Sequence, residues 1–180
     1  MIRKILLAIV LIFLITGIGL ASQDEIAFKN EPDGFRGLKW GDTPTEDMTF
    51  LYQSLAFLGN GNSYYRKDDK LNIGSAKLDR IFYRFTLYNY QFYKVTATFI
   101  YKISYDILKI ICEGRFGKPT YMREKKDDYL LRWSGDKAKI YLYYDSRECI
   151  GWFIIENMKI HSEKPEDNKQ KEIEKAKEDF

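Results

Sequence analysis

The run Ile81-Phe82-Tyr83-Arg84-Phe85-Thr86-Leu87-Tyr88 decides the fold class. Ile81, Tyr83, Phe85 and Leu87 alternate with Phe82, Arg84, Thr86 and Tyr88, the two-residue period of a strand with one face in a core. After a turn at Asn89-Tyr90 the pattern resumes: Tyr93, Val95, Ala97, Phe99 and Tyr101 alternate with Lys94, Thr96 and Thr98. Further on, Tyr129, Leu131 and Trp133 alternate with Leu130 and Arg132. Ser134-Gly135-Asp136 turns into Ala138, Ile140, Leu142 and Tyr144, which are interleaved with Lys139, Tyr141 and Tyr143. Ile150 to Glu156 reads as the last strand. One apolar and one wet face implies antiparallel pairing.

Two helices are expected beside these strands. Thr43-Pro44-Thr45-Glu46 has the form of a capping box with proline at the first helical position, followed by Met48, Leu51, Tyr52 and Leu55 at helical spacing up to Gly59. A second helix begins at Ser104 with Asp106 in its first turn. Leu108, Ile111 and Cys112 share its apolar face, and Gly117 and Pro119 end it. Asp68-Asp69-Lys70-Leu71, Gly74 and Ala76-Lys77-Leu78 echo Asp127-Asp128-Tyr129-Leu130, Gly135 and Ala138-Lys139-Ile140. The expected fold is α+β: two helices packed on one face of an antiparallel sheet, arranged as a tandem helix-strand-strand-strand duplication with halves at about 35–102 and 103–160.

Outside this region the chain changes character. Arg3 and Lys4 precede an apolar run from Ile5 to Leu20, and Gly19-Leu20-Ala21 places small residues before a cleavage point. Residues 1–21 therefore read as a signal peptide or an N-terminal anchor. Both place the body outside the cytoplasm, in the periplasm or beyond the cell, with membrane contact only through residues 5–21 if they stay uncleaved. Residues 22–34 read as a linker, 35–160 as the α+β domain and 161–180 as a charged tail.

Composition narrows the chemistry. The 180 residues are 45% hydrophobic and 16% aromatic, enough for a core. Removing residues 1–21 takes away Arg3 and Lys4, leaving 27 cations against 26 carboxylates, so no electrostatic footprint for nucleic acid remains. One histidine, His161, and two cysteines are too few for a zinc site. Cys112 and Cys149 either pair as a disulfide in an oxidising compartment or stay free, Cys112 on the apolar side of its helix. No catalytic group, metal or cofactor is indicated.

The segment Gly41 to Met48 opening one helix and Phe116-Gly117-Lys118-Pro119 closing the other resemble the β-lactamase-inhibitor-protein-like fold, which also occurs in small outer-membrane assembly lipoproteins. Phe35-Arg36-Gly37-Leu38-Lys39-Trp40-Gly41 is similar to the opening of a group of exported bacterial proteins. The resemblance implies the tandem architecture over residues 35–160 and a bias toward protein binding. The chain departs from the lipoprotein pattern in having no cysteine to lipidate after its apolar run.

The outward strand register carries the functional expectation. Phe82, Arg84, Tyr88, Lys94, Arg132, Lys139, Tyr141, Tyr143 and Trp152 are placed on one sheet face, and Tyr, Trp and Arg are the side chains that dominate interface energetics. The bland alternative is a solvated face held by cross-strand pairs. The expectation is an exported, non-enzymatic module binding an envelope protein or glycan. The rivals are a membrane-tethered structural component of the envelope and a carboxylate-dependent exported hydrolase.

Overall fold

A computed structural model describes residues 28–54, 61–161 and 177. The segment read as a signal peptide or anchor lies outside these residues, as does the charged tail apart from His161 and Lys177. No described helix is long and apolar enough to cross a membrane.

The period-2 segments form strands as their patterning requires, and they dominate the fold. The strands are β1 (Gly34–Phe35), β2 (Leu38–Lys39), β3 (Met48–Ser54), β4 (Gly61–Arg66), β5 (Asn72–Ile73), β6 (Ala76–Lys77), β7 (Arg80–Phe85) and β8 (Phe92–Phe99). After helix α1 (Lys102–Phe116) come β9 (Tyr121–Lys125), β10 (Asp128–Ser134), β11 (Ala138–Asp145) and β12 (Ile150–Asn157), then the short turn α2 (Met158–His161). Eight of the strands make one antiparallel sheet in the order β3-β4-β7-β8-β12-β11-β10-β9; β1-β2 and β5-β6 are separate two-stranded hairpins. Two four-stranded meanders thus meet at their last strands, with Val95 opposite Ile155 and Phe99 opposite Gly151.

The core face is read along the register. Tyr83, Val95, Ile155, Ile140 and Trp133 form one row, and Ile81, Ala97, Phe153, Leu142 and Leu131 the next; all are buried. Helix α1 packs on this face through Tyr105, Leu108, Cys112 and Phe116, and its Ser104 hydroxyl donates to the Lys77 carbonyl at 2.9 Å, tying it to the β5-β6 hairpin.

The α+β expectation is overturned. The fold is mainly β, with one helix of seven or more residues among those described. The expected helix from Thr43 is instead a turn followed by edge strand β3. Residues 43–46 are not helical, so Thr43 caps no helix; Thr45 donates to the Asp47 carboxylate, and the Met48 N–H closes a turn on the Thr45 carbonyl at 2.9 Å. β3 carries a bulge between Phe50 and Tyr52. One extra residue converts a two-residue apolar period into three, so Met48, Leu51 and Tyr52 mimic helical spacing. Leu55 and Gly59 lie outside the described residues.

The duplicated order fails as well. Leu130 and Lys139 belong to long strands of the main sheet, whereas Leu71 to Lys77 includes only the two-residue strands of a separate hairpin. The run between Asp69 and Asp79 is too short and too interrupted by Asn72, Gly74 and Ser75 to build a sheet strand.

Residues 28–34 fall within the expected linker but are pinned to the domain as a strap. The Lys29 N–H and the Asn30 amide donate to the carbonyls of Phe116 and Arg115, each at 2.9 Å, satisfying acceptors left over at the end of α1. Trp133 Nε1 takes the next carbonyl, Gly117, at 2.8 Å. Phe28 packs edge-on against Phe116 at 5.7 Å. The Glu31 carboxylate accepts the backbone N–H groups of Asp136, Lys137 and Ala138 in the β10-β11 turn, at 3.2, 2.7 and 2.9 Å.

Candidate functional site

The sheet face opposite α1 gathers the side chains singled out from the sequence. Strand pairing sets three rows across it. One runs Arg84, Lys94, Glu156, Lys139; the second Phe82, Thr96, Ile154, Tyr141, Arg132, Tyr121; the third Thr98, Trp152, Tyr143, Leu130, Arg123. Eight of the nine expected residues share this face. Tyr88 does not: it sits in the β7-β8 connection, 64% exposed, because β7 ends at Phe85.

Depth separates these residues further. Arg84 was expected to be an exposed contact, but it is buried at 7% exposure. A bulge leaves Tyr93 as an extra residue between Lys94 and Phe92. Burial raises the Tyr93 hydroxyl above the usual phenol range, partly offset by the Arg84 guanidinium, which hydrogen-bonds it. Arg84 is thereby a structural group, whereas Phe82, two residues before it on β7, is only half-buried and lines a separate cavity with Leu51, Tyr65 and Ile81.

The centre of the face is an open groove of about 360 Å³ lined by Lys94, Leu130, Tyr141, Tyr143, Trp152 and Glu156, with Ile154 at its base. Tyr143 and Trp152 lean on each other, ring centroids 5.2 Å apart and planes at 30°. Lys94 and Glu156 are paired at 3.3 Å, both mostly shielded. Burial raises the Tyr141 hydroxyl, and its hydrogen bond to Glu156 adds to the shift, so Tyr141 stays a neutral donor at neutral pH. At the rim, the Arg132 guanidinium lies over the Tyr121 ring at 5.1 Å. Such a surface offers apolar area with polar tips and fixed charges.

A second, polar cavity of about 500 Å³ lies between the β1-β2 turn and the loop after β4, lined by Arg36, Asp47, Arg66, Asp68, Asp69 and Lys70, with Asn72. Asp69 is ion-paired to Arg36 and accepts the Tyr83 hydroxyl at 2.6 Å; Arg66 pairs with Asp47 at 3.0 Å and lies over the Tyr83 ring at 5.0 Å. The hydrogen bond from Thr45, with Arg66 nearby, holds the Asp47 carboxyl below its ordinary range, a poor state for a general acid. The sequence pattern singled out Asp68-Asp69 but not this cluster, since Arg36 comes from the β1-β2 turn, about thirty residues before Arg66 at the end of β4 and Asp69 in the connection after it.

Cys112 and Cys149 are both free thiols, one buried in α1 and the other exposed in the β11-β12 turn, so the pairing considered from sequence is not made. The helix faces Cys112 into the core, where burial pushes its thiol up to about 12. Among the described residues, no group of three or more His, Cys, Asp or Glu is placed to hold a metal ion. No protein-family model, curated protein or solved structure matches the chain.

Proposed function

We propose that the protein is an exported, non-enzymatic binding module whose sheet face opposite α1 takes a protein ligand. The observation that carries this reading is the contiguous groove of Tyr141, Tyr143, Trp152, Leu130 and Ile154 on a rigid sheet, flanked by Lys94, Arg132 and Lys139. Large amphipathic rings on a fixed backbone lose little entropy on binding, so a few of them dominate the affinity. A glycan is favoured less, because sugars stack on free flat ring faces and the Tyr143 and Trp152 rings are turned against each other. A hydrolase reading draws no support from the groove, whose one carboxylate, Glu156, is engaged by Lys94. Cleavage of residues 1–21 and their retention as a tether both fit a face on the far side of the domain's own core.

Site-specific photo-crosslinking tests this. A benzophenone side chain at Leu130 or Tyr141 should capture a discrete partner in an envelope fraction, whereas one at Ile103 or Ile110, exposed on α1, should not. Equal capture from both faces, or from α1 alone, refutes the proposal.

A further inference from the structure

The charges around the groove narrow the partner. Each outward carboxylate of the face is already held: Glu156 by Lys94 at 3.3 Å, Asp128 by Arg123 at 2.9 Å and Asp145 by Arg147 at 3.2 Å. Arg132, Lys139 and, at the far end of edge strand β9, Lys125 remain, with no carboxylate in ion-pair range among the described residues; the first two border the groove. Their neighbours across the strands are Tyr121, Tyr141 and Ser134 in addition to the already engaged Glu156. Arg132 lies directly opposite Tyr141 on β10, and Lys139 two residues before it on β11 itself. The apolar part of the groove, Leu130, Tyr143, Trp152 and Ile154, lies on the other side of Tyr141, about 7 Å along the strand from Lys139 to Tyr141 and again to Tyr143. This local excess of positive charge occurs in a chain that is close to neutral once residues 1–21 are set aside.

Resting on the binding-module reading above, we infer that the ligand is an acidic polypeptide segment that places carboxylates on Arg132 and Lys139 and an apolar side chain in the Leu130–Trp152 groove. A guanidinium resting over a ring face, as that of Arg132 does on Tyr121, keeps its edge donors available for a carboxylate. An ammonium beside it supplies the second charge. The groove supplies apolar contact and sets the register between the two. A basic or uncharged segment would bury neither charge productively, so the two cations also exclude such partners.

The test uses the full chain and three labelled peptides of one length: alternating Glu and Phe, the same with Gln for Glu, and the same with Lys for Glu. Binding is followed by fluorescence anisotropy at low and at physiological salt. The Glu peptide should bind, weakening with salt, while the Gln peptide binds about tenfold less tightly and the Lys peptide not measurably. Arg132→Glu with Lys139→Glu should reverse the order of the Glu and Lys peptides. Arg132→Gln with Lys139→Gln, milder and checked for folding by circular dichroism, should level the three. Trp152→Ser should weaken the Glu and Gln peptides by the same factor. If Glu and Gln peptides bind alike, or the charge variants change nothing while Trp152→Ser still does, the acidic-partner inference is wrong and the groove remains a binding site. If no peptide binds, or oligogalacturonate binds where the Glu peptide does not, the polypeptide assignment itself is overturned. Photo-crosslinking from Leu130 then reports separately on whether the face binds anything.

Discussion

Replacing Glu31 with alanine removes a carboxylate that pins the strap to the β10-β11 turn, and the cost follows from its three donors. Asp136 and Lys137 present exposed N–H groups that water can satisfy, so each loses about 0.5 kcal/mol. The Ala138 N–H is part-buried and loses about 1–2 kcal/mol. The sum is about 2–3 kcal/mol, or a urea midpoint lowered by about 1–1.5 M for an m-value near 2 kcal/mol/M. Burial by itself would raise the Glu31 carboxyl. The N–H groups of Lys137, Ala138 and Asp136, with the Lys137 charge, outweigh that and hold it below its ordinary 4.5. A depressed folded value means that the stabilisation is complete above pH 4.5 and fades as pH falls through the lower folded value. Urea titrations of both proteins at pH 7 and pH 3 should therefore show a gap that closes in acid. Gly135 supplies an internal control, since a Cβ there would lie 2.3 Å from the Glu31 carboxyl carbon. Gly135→Ala should destabilise the native protein and be nearly neutral beside Glu31→Ala. A gap below 0.5 kcal/mol, a gap as large at pH 3 as at pH 7, or a Gly135→Ala cost that persists without the carboxylate would refute this account of the strap.

Trp133→Phe should cost about 2–4 kcal/mol in urea unfolding, because it opens space at a fully buried position and strands the Gly117 carbonyl. Gly151→Ala should prevent folding or lower Tm by well over 10 °C, since the added methyl would meet the Phe99 ring at 2.2 Å. With a chromogenic disulfide reagent at pH 8, one thiol per chain, Cys149, should react at once and Cys112 only on unfolding. Two fast thiols would mean that α1 does not shield Cys112. Intact mass of the protein recovered after expression of the full chain should lack residues 1–21 if they act as the proposed signal peptide and keep them if they act as a tether.

The parts of this architecture that were legible in the sequence are those with an unbroken local period. β7, β8, β10, β11 and β12 were readable because Tyr83, Val95, Leu131, Ile140 and Phe153 recur every second residue against polar or aromatic partners. The end of α1 was readable from Gly117 and Pro119. β3 was hidden by its bulge, since a single unpaired Leu51 turns strand periodicity into an imitation of a helix. The short edge strand β9, Tyr121–Lys125, has charges at three of its five positions and carries little apolar pattern. Period two assigned Arg84 to the correct face but not its depth, which depends on the bulge at Tyr93. The strap was invisible for a different reason: Glu31 binds backbone groups more than a hundred positions away, and backbone donors leave no mark on composition.

The junction between the two meanders has a consequence for how the chain is made. β8 finds its outer partner only when β12 emerges, Phe99 waiting for Gly151. About fifty residues separate the two, so whether the chain leaves a ribosome or is threaded across a membrane, β8 is released well before its partner. Throughout that interval Phe92-Tyr93-Lys94-Val95-Thr96-Ala97-Thr98-Phe99 has an unfilled edge, and its aromatic and β-branched composition is that of an aggregation-prone segment. Lys94 is the one charge within it. The residue that pairs with Glu156 in the finished sheet is thus also the gatekeeper of the nascent half, and its loss should lower the yield of soluble protein more than it lowers the stability of what folds.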